Sequence, residues 1–452
     1  MLSHNLTALC LTSARAPPPH MTAKCLRETI GKKYPKEGEN MTNRLLKSRV
    51  TLERLRDSPL GRYVDAFAGW LSEQGYSKYS LKYRIGLIGT LSRWMDKHGF
   101  GVSDLDEQMT AKFLKCRGRN RRIHRGDVAT LRSLLEHLRQ SGVVLPADPE
   151  VDDSELSHIE CDFAEYLTHE RRLSKASLVY YLPMVRRLLE ERFDKCPMLL
   201  QEISPADISR YVLQHAHTLS RGRAKLMVTA LRSFFRFLRL RGDISVDLAA
   251  AVPTVANWRL ATLPKWIPPE QVEQLIRSCD QNIISGQRNY AILLLLARLG
   301  LRSAEVVAMT LDDIDWEAGE IRVRGKSRRS DRLPLPQDVG EALVRYLRNG
   351  RPCCSTRRVF VRTRAPHRGF VDSSAIYSLV RRAFDRAELK STQKGPYILR
   401  HSLATNMLRK GASLREIGEI LRHRELNTTQ IYAKVDLESL CKIAQAWPGG
   451  KA

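Results

Sequence analysis

A histidine and a tyrosine near the C-terminus are separated by residue types that suit chemistry on a phosphate. The stretch LRHRELNTTQIYAKV spans residues 421–435 and places Tyr432 nine positions after His423. Thr428 or Thr429 is predicted to cap a new helix. Tyr432 would then lie in the first turn of that helix, where backbone N–H groups and the helix dipole favour an anion. The alternative is that Tyr432 packs or forms a hydrogen bond in the core.

Three cationic side chains further upstream are also candidates for binding a phosphate. Arg302 follows the apolar stretch 290–301, and an arginine there is costly to bury unless it is paired or bound to an anion. A helical ion pair with Glu305 is the simpler explanation of Arg302 taken alone. Lys326 is predicted at the tip of a basic β-hairpin, and Arg400 lies in the box Tyr-Ile-Leu-Arg-His. Each is also explained as an ordinary surface or ion-paired residue.

Taken in order, these residues resemble the active-site set of the tyrosine recombinase, or phage integrase, family. Arg302 has the Gly-Leu-Arg-x-x-Glu context of that family, and Lys326 follows it by 24 residues, as in Xer-type members. His423 follows Arg400 by 23 residues, and Tyr432 follows by nine in a Thr-Thr-x-x-Tyr setting. The resemblance covers roughly residues 160–447 and implies a Xer-like site-specific recombinase.

The resemblance also implies a mechanism and a role for each residue. Tyr432 would attack a DNA phosphodiester and form a 3′-phosphotyrosyl intermediate. Arg302, Arg400 and His423 would neutralise the charge of the transition state, and Lys326 would be the general acid for the leaving 5′-oxygen. Neither ATP nor a metal is implied, because the cationic side chains supply the charge that Mg²⁺ supplies elsewhere. We therefore expect no cofactor.

Two positions depart from the family pattern. Tyr397 occupies the place of the box histidine, and a tyrosine is a poor general base near neutral pH because a phenol has an unperturbed pKa of ~10. Arg422 replaces the glycine that usually precedes the second histidine, so a different local backbone is expected there. Glu305 and His401 are expected to have supporting roles in orienting the catalytic groups.

The composition indicates a polyanionic partner. The chain of 452 residues has a formal net charge of +26 and a pI near 9.9, which suggests DNA, RNA or an anionic membrane as the partner. The resemblance implies that this partner is double-stranded DNA. The longest apolar run, residues 291–296, is far shorter than the ~20 residues of a membrane span. Nine cysteines without a C-x-x-C pair indicate reduced thiols and a cytoplasmic, nucleoid-associated setting. The resemblance implies a homotetramer on DNA, or a heterotetramer with a related recombinase.

A weak internal repeat organises the first half of the chain. Residues 67–81 are echoed at 163–178, with an offset of 96 and then 97. Residues 131–142 are echoed at 231–242 with an offset of 100. Both copies have the apolar spacing of helices, and a glycine stands at the expected C-cap of each. The sequence therefore predicts two related helical domains.

The predicted fold is mainly α with a small β-sheet: helical core-binding (SAM-like) domains followed by an α+β catalytic domain. A helix is predicted to start at Pro268-Pro269-Glu270, and helices resume near Ser373. A final helix capped by Asp436 is expected to dock on a neighbouring subunit or on its own domain. The predicted boundaries are a disordered tail over 1–48 (Met41 being a candidate start), a helical domain that is an extra copy of the core-binding domain over 49–145, the core-binding domain over 155–250, a linker over 251–268 and the catalytic domain over 269–447.

Two other functions are compatible with these residues. A type IB topoisomerase-like enzyme would share the nucleophile and the arginines but would not exchange partners. A non-catalytic DNA-binding or architectural protein with the same fold would explain Tyr397. Residues 117–125, RGRNRRIHR, are a candidate phosphate-binding loop or a plain charged loop. The role of the first helical copy stays open between binding accessory DNA, extending a clamp and mediating assembly.

Overall fold

The structure is mainly helical with one small antiparallel sheet, which confirms the predicted fold class. The residues from 153 to 256 form one compact unit, and those up to 146 and from 263 onward form another. Within the described part of the chain, no helix is both long and apolar enough to cross a membrane. The computed structural model describes residue 53 and the ranges 55–119, 122–146, 153–194, 197–256, 263–325 and 330–435.

In the described part of the first helical region, residues 55–146, four helices follow one another between Gly61 and Gln140. The side chain of Ser77 accepts a hydrogen bond from the backbone of Ser80 at the start of the second helix, and Asp106 caps the third helix in the same way. The predicted apolar stripe of the fourth helix is buried, each leucine being at most 3% exposed: Leu131, Leu134, Leu135 and Leu138. The helices are α1 Gly61–Glu73, α2 Lys78–Lys97, α3 Glu107–Gly118 and α4 Arg125–Gln140.

The second helical region, residues 153–256, repeats this arrangement and adds a short fifth helix. Ser204 and Asp207 form a reciprocal capping box at the start of its third helix, which begins with Pro205. A 3₁₀ turn, Leu200–Glu202, precedes that helix. The helices are α5 Glu155–His169, α6 Lys175–Phe193, α7 Pro205–Ala216, α8 Arg221–Arg241 and α9 Leu248–Ala251.

Positions related by the repeat have the same structural role in both regions. Phe67 and Phe163 are each fully buried in the first helix of their region. Gly142 has φ +71° and Gly242 has φ +88°, and each follows the end of the fourth helix. This left-handed conformation confirms the predicted C-caps, because glycine adopts it without steric strain. Two helical bundles with matched cores and matched caps therefore lie in tandem along the chain.

The C-terminal region, residues 263–435, combines helices with the sheet. The strand order is β1-β2-β3, all antiparallel, and Ile321 of β2 pairs with Leu333 of β3. The predicted hairpin is thus confirmed, with β1 as an additional strand. The strands are β1 Ile314–Asp315, β2 Glu320–Arg324 and β3 Ser330–Pro334. The first helices are α10 Pro269–Arg277, α11 Ile284–Arg298 and α12 Ser303–Ala308, followed by a 3₁₀ turn at Leu311–Asp313.

The remaining helices carry most of the candidate site. The start of α10 at Pro269 confirms the predicted helix start. The prediction that helices resume near Ser373 is wrong, because a helix already begins at Gln337, soon after β3, and another begins at Ser374. The helices are α13 Gln337–Arg345 with a π-helical turn at Tyr346–Gly350, α14 Ser374–Arg386, α15 Pro396–Arg409, α16 Leu414–Ile420 and α17 Leu426–Thr429, with a 3₁₀ segment at Gln430–Val435. The helix expected after Asp436 lies outside the described residues.

The buried helix predicted over residues 290–301 has different limits in the structure. It begins six residues earlier, at Ile284, and it ends at Arg298. Its first residues include polar ones, so the apolar pattern did not predict them as part of a buried helix. Gly300 then adopts φ +55°. A Cβ at this position would lie 2.8 Å from Cδ2 of Leu421, so both the conformation and the space require glycine. The apolar residues after Arg298 therefore belong to a tight turn that leads into the candidate site.

Candidate active site

A buried carboxylate organises the first part of the site. Arg302 precedes α12, and its guanidinium donates from Nη1 to Oε1 of Glu305 at 2.8 Å. The backbone N–H of Arg302 also donates to Oε2 of Glu305 at 2.8 Å. Nη2 of Arg422 donates to the same Oε2 at 2.9 Å. The predicted Arg302–Glu305 pair therefore exists, and the side chain of Arg302 is still 39% exposed, so it keeps donors available to a ligand.

Arg400 is the deepest cation of the site. It lies in α15, is 1% exposed, and donates hydrogen bonds to the carbonyl oxygens of Gly300 and Leu421. Its Nε is buried and has no hydrogen-bond partner within the described part of the protein. Arg302 donates to the carbonyl of Arg422 at 3.5 Å. The carbonyl groups of Leu421 and Arg422 thus accept hydrogen bonds from Arg400 and Arg302, respectively. This turn therefore holds the side chains of Arg302 and Arg400 close together.

Tyr432 lies in the 3₁₀ segment and is 1% exposed. Its hydroxyl is 2.9 Å from Nδ1 of His401, the residue that follows Arg400 in α15. The ring of His423 is parallel to that of Tyr432, with centroids 6.5 Å apart. The expected alternative, a buried and hydrogen-bonded tyrosine, is therefore also true of Tyr432, and its hydrogen-bond partner is another site residue.

Thr429 orients the second histidine. Its Oγ1 is 2.8 Å from Nδ1 of His423, and Thr429 is 1% exposed. The prediction that Thr428 or Thr429 is an N-cap is wrong. The helix α17 starts at Leu426, so Thr429 is its last residue, and Tyr432 follows the helix instead of lying in its first turn. The buried hydrogen bond to His423 uses the Thr429 hydroxyl at the end of the helix, whereas an N-cap residue stands at the start of a helix.

Burial sets the protonation states of the site. It lowers the pKa of His401 to about 4, and the charge of Arg400 acts in the same direction. Burial also lowers the pKa of His423 to about 4, with further effects of Arg400 and Arg302. Both imidazoles are therefore neutral at pH 7. Burial raises the pKa of Tyr432 above its ordinary value, although the charge of Arg400 opposes this.

The charged groups of the site keep their charges despite burial. Burial lowers the pKa of Arg400 to about 10, and the charges of Arg302 and Arg422 contribute, so Arg400 is still a cation at pH 7. For Glu305, burial acts to raise the pKa, but the charge of Arg422 and the hydrogen bonds from Arg302 outweigh it, and the pKa is lowered. Two guanidinium groups, those of Arg302 and Arg422, thus bind the Glu305 carboxylate, and Arg400 adds a third cation to the site. The cluster is therefore cationic and suited to an anion.

Arg422 accounts for the departure from the glycine of the family pattern. Its backbone has φ +55°, the left-handed conformation that costs a non-glycine residue about 1–2 kcal/mol. Its side chain is 7% exposed and paired with Glu305. An arginine thus adopts here a conformation that favours glycine, and a buried ion pair holds its side chain.

Tyr397 lies at the exposed margin of this cluster. Tyr397 is 57% exposed, and the edge of its ring contacts His401 with centroids 4.8 Å apart. Tyr397 is in the first turn of α15. Lys326 lies outside the described residues. In the described part of the chain, no group of three or more His, Cys, Asp or Glu side chains is placed to hold a metal ion.

Sequence reasoning missed the contributions of Thr429 and Arg422. The Thr-Thr pair indicates only a cap when taken from the sequence, because spacing does not reveal which side chain turns inward. Arg422 stands out in the sequence as an irregularity, but nothing near it predicts a buried partner. An arginine beside the candidate histidine, 117 positions after a buried glutamate, has no local signal that would connect the two.

The sequence matches two family models. The phage integrase family matches residues 265–438. The phage integrase N-terminal SAM-like domain matches residues 161–242. The first match contains every described site residue, and the second lies within the second helical region.

Known proteins similar to this chain are recombinases by name. An integrase/recombinase of Sinorhizobium fredii, y4rA, is 44% identical and the match covers 88% of this chain and 97% of that protein. The tyrosine recombinase XerC of Thermodesulfovibrio yellowstonii is 30% identical over 62% of this chain and 93% of that protein. Among solved structures, the XerH site-specific recombinase bound to a palindromic difH substrate has a TM-score of 0.51 and 20% identity, over 68% of this chain and 93% of that chain.

Proposed function

Because this chain belongs to the phage integrase family of tyrosine recombinases and is a site-specific recombinase, we propose that it cuts and rejoins DNA through a 3′-phosphotyrosyl intermediate formed on Tyr432. The observation that carries this proposal is the contact network joining Arg302, Arg400, His423 and Tyr432 through the turn at residues 421–423. This network also argues against an inactive protein that retains only the fold.

Arg302, Arg400 and His423 bind the scissile phosphate in this mechanism. The exposed face of Arg302 and the unpartnered Nε of Arg400 offer donors to the non-bridging oxygens. The hydroxyl of Thr429 donates to Nδ1 of His423, so that Nε2 carries the proton and donates to the phosphate. These preorganised donors stabilise the extra charge of the pentacoordinate transition state, which is the largest electrostatic contribution to such a reaction.

His401 is the group best placed to accept the phenol proton. Tyr397, at the position of the box histidine, is mostly exposed and its contact is with His401 rather than with Tyr432. The hydrogen bond from Tyr432 to the neutral His401 is 2.9 Å long, which is within the range for proton transfer. Tyr397 then has the smaller role of a hydrogen-bond donor to a phosphate oxygen.

The first step exchanges one bond to phosphorus for another and moves two protons. The Tyr432 oxygen forms a bond to phosphorus while its proton passes to His401, the bond from phosphorus to the 5′-oxygen breaks, and Lys326 protonates that oxygen. A 5′-hydroxyl of another strand then attacks the phosphotyrosine and gives its proton to Lys326. The bond from phosphorus to the Tyr432 oxygen breaks, and His401 returns the proton that restores the phenol. Glu305 orients Arg302 throughout. Since Tyr432 is 1% exposed, the 3₁₀ segment must move when DNA binds before the phenol reaches a phosphate.

The partner in this proposal is double-stranded DNA, and exchange between two duplexes requires four active sites. We therefore infer a homotetramer on DNA, or a heterotetramer with a related recombinase, in the cytoplasm. The solved structure of a similar protein, XerH, is a post-cleavage complex with its difH substrate.

Covalent capture tests the proposal and identifies the DNA site in the same experiment. Wild-type protein is incubated with a library of nicked duplexes of random sequence, denatured in detergent, and the DNA that remains attached is sequenced. We expect attached DNA with a shared site for the wild type and none for Tyr432→Phe. Digestion and mass spectrometry should locate the adduct on Tyr432. An adduct that persists in Tyr432→Phe would identify a different nucleophile.

A strand-transfer assay with two labelled duplexes then separates recombination from relaxation alone. A recombinase produces strands that join the two labels. A topoisomerase-like enzyme reseals only its own strand, and that outcome would contradict the proposed exchange step. Tyr432→Phe should still bind the duplex as the wild type does, since the substitution removes one hydroxyl.

A further inference from the structure

Three helix ends in the first helical region meet at one buried carboxylate. The hydroxyl of Tyr83, in α2, donates to Oδ1 of Asp127, in α4, at 2.5 Å. Arg84 donates to the hydroxyl of Thr130 at 2.6 Å. Arg117, at the end of α3, lies 3.9 Å from Oδ2 of Asp127. The starts of α2 and α4 and the end of α3 therefore form one continuous surface, called here the α2–α4 surface.

The α2–α4 surface carries positive charge without exposed carboxylates. The sequence between Glu73 and Asp96 contains four Lys or Arg residues and no Asp or Glu. The sequence between Glu107 and Asp127 contains seven Lys or Arg residues and again no Asp or Glu. Asp127 is fully buried, and it accepts hydrogen bonds within the protein. Its charge is therefore used internally. The exposed cations of this surface include Lys78, Lys82, Arg119, Arg122 and Arg125.

These cations do not serve the stability of the helices. Lys78 and Arg125 are the first residues of α2 and α4, and the first turn of α2 has no acidic residue. A cation in the first turn opposes the helix dipole and typically destabilises a helix by about 0.3–1 kcal/mol. Positive charge at these helix starts therefore indicates an external anion rather than an internal role.

Exposed tyrosines lie among the cations. Tyr79 is 86% exposed and Tyr83 is 42% exposed, one helical turn apart on α2 and next to Lys78 and Lys82. The hydroxyl of the exposed Tyr79, like Lys and Arg, can contact phosphate and sugar groups of duplex DNA, whereas the hydroxyl of Tyr83 already donates to Asp127. A surface of cations and tyrosines without acidic neighbours has the chemistry of a phosphate-backbone contact.

The second helical region repeats two cations and one tyrosine of this surface, whereas Val179 stands at the position of Lys82. Lys175 stands 97 positions after Lys78, and it is exposed. Tyr180 stands 97 positions after Tyr83 and is 50% exposed. In the fourth helix, Lys225 stands 100 positions after Arg125 and is exposed. Surface positions, unlike core positions, are not required by the fold, so their recurrence in both copies indicates a shared ligand.

We propose that the α2–α4 surface of the first helical region is a second duplex-binding surface, which contacts the DNA phosphate backbone through Lys78, Lys82 and Arg125. The choice of DNA as the ligand rests on the proposed function, whereas the chemistry at Tyr432 does not enter.

The test measures binding of the full chain to a fluorescent duplex of random sequence, about 40 base pairs long, between about 50 and 200 mM salt. The variant is Lys78→Ala/Lys82→Ala. The matched control is Arg93→Ala/Lys97→Ala, which removes two exposed cations with the same spacing from the same helix, about 22 Å further along it. Thermal melting of both variants checks that they are folded.

We expect the Lys78→Ala/Lys82→Ala variant to bind about tenfold more weakly, and the slope of log affinity against log salt to fall by about 1.8, since each lost phosphate contact contributes about 0.9. The control should bind like the wild type. If both variants bound the duplex equally weakly, the loss of affinity would follow from the lower net charge alone, and the proposal would be overturned. Unchanged DNA binding with a lower oligomer mass in light scattering would overturn it in favour of a protein interface.

This outcome is separable from that of the catalytic proposal. Tyr432→Phe should bind the random duplex with the wild-type affinity and salt slope. A failure of covalent capture together with the expected salt effect would contradict the proposed chemistry and leave the α2–α4 surface supported. The reverse pattern would contradict only the second duplex-binding surface.

Discussion

Two cationic regions of this chain handle positive charge in opposite ways. In the catalytic cluster, Arg400 is 1% exposed and Arg422 is held by Glu305. On the α2–α4 surface, Lys78 and Lys82 are exposed, and the carboxylate beneath them is buried. The first region surrounds its charges with protein dipoles, and the second leaves them in water. A buried charge interacts strongly and with fixed geometry, whereas an exposed charge is screened by salt.

This difference assigns the regions different tasks. A buried guanidinium bound by two carbonyl groups cannot adjust to different ligands, so it suits one transition state. Exposed lysines are mobile and additive, so they suit the uniform backbone of a duplex. Substitutions in the cluster should therefore have large effects that do not depend on salt, and those on the surface should have modest effects that do.

The largest effect is expected for Arg400→Ala. It removes a transition-state donor and leaves the carbonyls of Gly300 and Leu421 without their partner. Single-turnover cleavage should fall by on the order of 10³, equally at low and high salt, with duplex binding reduced less than about tenfold. Lys410→Ala, an exposed cation just after the same helix, is the control. Rescue of Arg400→Ala by low salt would mean that this arginine acts as an ordinary binding charge.

An intermediate effect is expected for His401→Gln. The amide keeps a polar contact with Tyr432 but is a poor proton acceptor, so cleavage should fall about 10²-fold. The variant's rate should then rise with pH up to about tenfold per unit, because hydroxide must remove the phenol proton. The wild type should be nearly flat above pH 6, since its imidazole is already neutral. Parallel pH profiles of the two proteins would indicate a purely structural role. His98→Gln, at an exposed histidine, is the control.

The smallest effect is on stability. Burial lowers the folded-state pKa of His401 and His423 to about 4, below the value of ~6.5 in an unfolded chain. As pH falls from about 6.5 towards 4, the two imidazoles bind protons in the unfolded state but stay neutral in the folded state. The stability present above pH 6.5 is therefore lost over this window, and Tm should fall by several degrees. Melting curves of His401→Gln/His423→Gln should show a smaller fall. An identical fall would place the acid sensitivity elsewhere.

Much of the architecture was readable from local patterns. The helix start at Pro269, the alternation of Ile321 and Val323 in a strand, and the glycines after the repeated helices all depend on a few adjacent residues. The predicted helix limits were less accurate where a buried helix begins with polar residues, as in the helix that starts at Ile284. The capping prediction for Thr428 or Thr429 failed because a threonine suits both a cap and an inward hydrogen bond, and only packing chooses between them.

The site divides in the same way. The order and spacing of Arg302, Arg400, His423 and Tyr432 were a property of the sequence, since the residue types and intervals are themselves the signal. The role of His401 and the partnership of Arg422 with Glu305 were decided by tertiary structure. Those contacts join residues 31 and 117 positions apart, and no local rule specifies a distance across so much chain. Burial, which neutralises the histidines, likewise exists only after the helices have packed.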